Sequence, residues 1–125
     1  THADPGQWVQ FAIEEHATGA LCGDLGVHFV DDQPFTVEIG FTLSPVYQRR
    51  GVAAAALRIL FRWLFDTLCT HRIFAQCDSR NEPAKRLLAR LGFRHETLVD
   101  ADWFKGAWSS LCVFAILDNE FRLHV

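Results

Sequence analysis

The chain's 125 residues suit one sizeable core and are too few for two. Half are hydrophobic, with 11 Phe and 4 Trp, so burial can offset the entropy of ordering, which excludes a disordered chain. A formal net charge of -3 with no run of Lys or Arg argues against nucleic acid or an anionic membrane as partner, and Arg58, Arg62 and Asp66 cut the longest apolar stretch below spanning length.

Trp8 to Glu14 alternates and carries aromatic and branched residues, which predicts a strand. His16-Ala17-Thr18-Gly19 supplies a turn into a second strand over Ala20 to Val30. Asp31-Asp32-Gln33-Pro34 turns again into a third over Phe35 to Leu43. There Val37, Ile39, Phe41 and Leu43 share one face, and Glu38, Gly40 and Thr42 the other. Three strands with tight turns predict an antiparallel meander.

Pro45 ends the third strand and a helix starts near Gly51. Arg58, Arg62 and Asp66 at four-residue spacing leave it one narrow wet stripe, while Leu57, Ile59, Leu60, Phe61, Trp63, Leu64, Phe65 and Leu68 predict burial around the rest. A short strand follows over Arg72 to Cys77. Asn81 then caps a helix with Pro83 in its first turn, and Gly92 ends it. Phe93 to Val99 and Trp108 to Leu117 read as a closing hairpin. The order β-β-β-α-β-α-β-β predicts a mixed α/β (α+β) fold, one domain over residues 1–125, with a right-handed crossover making the third and fourth strands parallel.

Cys22, Cys69, Cys77 and Cys112 stand singly, without a C-x-x-C pair, and the six His are dispersed. No signal-peptide pattern opens the sequence. Buried, reduced thiols in a cytoplasmic protein with no metal site are the expectation. With no Met and a strand almost at Thr1, the sequence is expected to be a shortened stretch of a longer chain.

The densest motif is Gln48-Arg49-Arg50-Gly51-Val52-Ala53, between a strand end and a helix start. Small residues at 51 and 53 let backbone approach a ligand, and first-turn amides with the helix dipole favour an anion such as a pyrophosphate. Arg49 and Arg50 add positive charge. An ordinary strand-to-helix loop fits the same six residues equally well.

The motif resembles the GNAT acetyltransferase signature: Gln or Arg, two residues, Gly, one residue, Gly or Ala. Asn81 to Phe93 (N-E-P-A-K-R-L-L-A-R-L-G-F) is similar to the family's second signature. Trp103 to Trp108 resembles the branch of RimJ/RimL-type ribosomal-protein N-terminal acetyltransferases. The resemblance implies acetyl-CoA as co-substrate. Backbone of Phe41, Thr42 and Leu43 would bind its pantetheine arm, and amides of Gln48, Arg49, Arg50, Gly51, Val52 and Ala53 its pyrophosphate. Asn81 would contact the arm; a plain helix cap is as good a reading of it.

The acceptor implied is a primary amine, either a protein N-terminus or a small molecule. A lysine-type amine, with pKa near ~10.4, is mostly protonated at neutral pH, so a base is useful. Glu38 is the candidate, its basicity expected to rise by burial against apolar neighbours; a salt-bridged Glu at the sheet rim is the alternative. Two departures from the family pattern stand out. Leu88 occupies the position of a Tyr thought to protonate the departing thiolate, and Ala84 that of a related Ser, so no general acid is assigned. Almost nothing precedes Trp8 where relatives carry a strand and one or two helices walling the acceptor site. A non-catalytic acetyl-CoA-binding or interaction module of the same fold is therefore the rival reading. Trp103 and Phe104 read equally as a homodimer contact, a lid over substrate or partial core.

Overall fold

The computed structural model describes residues 8–14, 16, 18–30, 32–43, 51–104 and 107–124. They form six strands and three α-helices: β1 (Trp8–Glu14), β2 (Leu21–Phe29), β3 (Thr36–Leu43), α1 (Val52–Arg62), β4 (Arg72–Asp78), α2 (Glu82–Arg90), β5 (Arg94–Phe104), β6 (Ala107–Leu117) and α3 (Asp118–His124). The fold is mixed α/β in the order expected, with α3 added. The chain groups into two compact units, Thr1–His71 and Arg72–Val125.

In the first unit β1, β2 and β3 form the antiparallel meander. Its register puts Val9, Val27 and Ile39 in one row, with Phe11, Leu25 and Phe41 in the next on the same face. Leu25, Val27, Val37 and Ile39 are buried there. The intervening rows, Trp8–His28–Glu38 and Gln10–Gly26–Gly40, form the opposite face. Gly19 closes the first turn at φ 72°, a left-handed conformation that Gly adopts without Cβ strain. Phe35 also has positive φ, 63°, so the third strand starts one residue later than the sequence suggests.

α1 buries Ala53, Ala54, Leu57, Leu60 and Phe61, and continues into a π-helical turn, Trp63–Thr67, that buries Leu64 and Phe65. The exposed stripe is wider than the Arg58–Arg62–Asp66 spacing suggests. Ile59 is 71% and Trp63 37% exposed, because each follows a stripe residue by one position and lies on its flank. Trp63 is edge-on to Phe11 at 6.2 Å between ring centroids.

In the second unit β6 lies between β4 and β5, antiparallel to both. α2 begins at Asn81, whose side chain accepts the Ala84 amide at 3.2 Å, with Pro83 in the first turn. It ends as the sequence predicts. Gly92, at φ 94°, sends its N–H to Ala89, and the Phe93 N–H reaches back to the Leu88 carbonyl. That is the Schellman pattern, and the buried Leu88 and Phe93 are its apolar pair. β5 is longer than read, with register shifts between His95 and Thr97 and between Val99 and Asp102 that break the alternation. Cys22 and Cys112 are buried, but Cys69 is exposed, against the expectation of four buried thiols. Cys69 has φ 55° just beyond the π-helical turn.

Candidate active site

Two groups of predicted site residues belong to the first unit. The first is where α1 starts. Gly51 is its N-cap residue, at φ 74° and ψ 3°, and no side chain among the described residues caps the helix. A Cβ added at Gly51 would meet nothing within 4 Å, so backbone conformation, not crowding, selects glycine here. The first intrahelical bond is Ala55 N–H to the Gly51 carbonyl, 3.0 Å. The amides of Val52, Ala53 and Ala54 precede it, and no acceptor among the described residues engages them. No acidic side chain stands in this turn. Three donors without a described acceptor at the positive end of a helix can take an anionic oxygen. Gln48, Arg49, Arg50 and Pro45 lie outside the described residues. Phe41, Thr42 and Leu43 end β3, with Phe41 half-buried and Thr42 exposed.

The second group is on the polar face of the meander. The register sets Trp8 opposite His28 and His28 opposite Glu38. The Trp8 indole stacks on the imidazole, with centroids 4.9 Å apart and planes 17° from parallel. His28 Nδ1 is 3.4 Å from Glu38 Oε1. Both side chains stay partly open, at 23% for His28 and 19% for Glu38. Trp8 owes its position to missing side chains: a Cβ on Gly26 would come within 3.0 Å of the indole, and one on Gly40 within 3.8 Å. Among the described residues the polar contact of Glu38 is thus the His28 imidazole, and the Trp8 indole stacks on that ring in turn. His28 and Trp8 were not singled out from sequence; they join Glu38 in one row only through the register of two hairpins.

In the second unit the described part of the second signature serves the backbone. Asn81 accepts the Ala84 amide on its Oδ1, so it caps α2, and no described residue engages its side-chain NH₂. Asp78, the last residue of β4, binds the Arg80 amide and guanidinium, at 2.8 and 3.0 Å, and Ser79, in the turn after it, donates its N–H to the Ser110 carbonyl. Leu88 is 1% exposed. The residue matched by resemblance to the family's Tyr is therefore core here, and its side chain carries no hydroxyl. Burial, and Cys112 opposite it in the ladder, push the Cys77 thiol above its ordinary range. It stays protonated at neutral pH and is a weak nucleophile.

The family described as acetyltransferase (GNAT) domain matches residues 1–94. The chain is 33% identical over 88 residues to the uncharacterized N-acetyltransferase YnaD of Bacillus subtilis (strain 168), covering 70% of this chain and 52% of that protein. It is 32% identical over 71 residues to the [ribosomal protein uS5]-alanine N-acetyltransferase of Escherichia coli (strain K12), covering 52% and 37%. Among solved structures it resembles a GCN5-related N-acetyltransferase from Brucella melitensis, with TM-score 0.84 and 28% identity, covering 91% of this chain and 52% of the other. The chain thus spans about half the length, or less, of these relatives.

Proposed function

The chain belongs to the GNAT acetyltransferase family, and on that premise we propose that it moves an acetyl group from acetyl-CoA to a primary amine, with residues 1–125 serving as one catalytic domain. The observation that carries this is the set of first-turn amides at Val52, Ala53 and Ala54, which no acceptor among the described residues engages, behind the left-handed Gly51. They suit a pyrophosphate, with Gln48, Arg49 and Arg50 as further donors from the same loop. Backbone of Phe41 to Leu43 would bind the pantetheine arm, and by the same family resemblance Asn81 would contact acetyl-CoA through its NH₂, which no described residue engages. Acetyl-CoA supplies an activated thioester carbonyl, and the chain's own residues must deliver a neutral amine to it.

Glu38 is the base in this reading. Its carboxylate accepts a proton from the ammonium form of the acceptor, directly or through water, and passes it to solvent. The amine nitrogen bonds to the acetyl carbon, the C–S bond breaks, and the amine's second proton goes to the thiolate or to solvent. A thiol of pKa near ~8.5 leaves without much help, so buried Leu88 does not block the reaction. Similarity to the uS5-alanine enzyme favours a protein N-terminus as acceptor, with a small-molecule amine next. A cytoplasmic setting fits such an acceptor.

The test combines calorimetric titration of acetyl-CoA with thiol release over a panel of amines, including peptides with free N-terminal alanine. Glu38→Gln is expected to lower turnover by roughly 10²–10⁴, with acetyl-CoA affinity unchanged. Unchanged turnover across the pH profile removes Glu38 from the mechanism. The buried Leu88 supports a second reading, a module that binds acetyl-CoA without transferring the acetyl group; binding with no thiol release for any amine selects it.

A further inference from the structure

The catalytic carboxylate proposed above does not stand alone on its sheet, and the row that contains it has a built order. Gly26 and Gly40 clear the middle of the polar face, the Trp8 indole settles into that space, and its plane lies against the His28 ring. The ring is therefore held on one side by stacking. On the other, its Nδ1 meets Glu38 Oε1. In a hydrogen bond between them a carboxylate oxygen can accept and Nδ1 can donate, which is the arrangement that makes this contact attractive. Glu38 Oε1 is then occupied, and no described residue engages Oε2.

We propose that His28 is a positioning residue for Glu38: clamped by Trp8 and carrying its hydrogen on Nδ1, it fixes one carboxylate oxygen and leaves the other to take the proton of the amine. This rests on the acetyltransferase reading and on Glu38 as base. The separation of 3.4 Å is long for such a bond. Catalytic hydrogen bonds often tighten only when substrate is bound, as a clamped ring closing on its carboxylate would do. The free alternative, a Glu rotating among its rotamers, would have to be ordered in every turnover.

Two measurements decide it. In ¹⁵N-labelled protein near ~pH 8.5, well above the ordinary imidazole range, the ring nitrogens of His28 are expected to show Nδ1 protonated and Nε2 bare. The opposite tautomer overturns the proposal. Kinetics with acetyl-CoA and the best amine of the panel then separate position from bulk. His28→Phe keeps an aromatic ring against Trp8 but loses the donor, and should lower kcat by roughly tenfold to a hundredfold with KM for acetyl-CoA unchanged. His28→Asn places an amide N–H near the Nδ1 site and should restore kcat to within about threefold, whereas His28→Gln, with its N–H near the Nε2 site, should not. A His28→Asn enzyme as slow as His28→Phe, or a His28→Phe enzyme as fast as the parent, overturns it. If the parent chain acetylates no amine, or Glu38→Gln is fully active, the functional reading has failed, and the tautomer alone still decides whether the imidazole serves this carboxylate.

Discussion

At Asn81 one side chain has two claims on it. Its oxygen holds the Ala84 amide at 3.2 Å, and removing a cap of this kind costs about 1 kcal/mol. Asn81→Ala should lower stability by about that amount in urea unfolding, while Asn81→Ser, which can still cap, should cost a few tenths. If the side-chain NH₂ also contacts acetyl-CoA, the Ser variant will keep its stability and lose affinity; equal affinity would leave Asn81 a cap and nothing more. The cap and the Gly92 ending were legible because each follows from backbone chemistry that few residue types satisfy. The Glu38 face was legible from alternation within one strand. His28 and Trp8 were not, because their nearness to Glu38 exists only across two hairpins whose register the sequence does not state.

Among the elements, α3 was unread from sequence. Its seven residues give too few turns for an apolar period to show. What fixes its start is charge. Glu120 accepts the Leu117 amide at 2.9 Å and the Arg94 guanidinium at 3.0 Å, and Arg94 also reaches Glu96, which binds Arg72. The Leu117 N–H first, and Arg94 second, hold the Glu120 carboxyl below its ordinary range. A lowered folded-state pKa gives stability that is present above the ordinary carboxylate range, near ~4.3, and lost as pH falls through the folded value. Both partners are partly exposed, so Glu120→Gln should cost less than about 1 kcal/mol at neutral pH. Unfolding free energies of the parent and variant should converge as pH drops below ~4, and an equal gap at acid and neutral pH would refute the assignment. α1 shows the opposite limit of legibility. Its amphipathic pattern gave the helix, but Ile59 and Trp63 were read as buried when they flank the exposed stripe.

For the whole molecule, the strand and helix order up to β6 was readable because strong punctuation marks its joints: Gly19 in the first turn, Gly51 and Asn81 opening α1 and α2, and Gly92 ending α2. The grouping into two units was not, since it depends on contacts far apart in sequence. The claim on which the functional account turns is local to the first unit, at the start of α1. Acetyl-CoA titrated into ¹⁵N-labelled chain, followed by amide shifts, tests it most directly. The account predicts saturable binding, with the largest shifts at Gly51, Val52, Ala53 and Ala54. Absence of binding, or saturation that leaves those four amides unmoved, would contradict it.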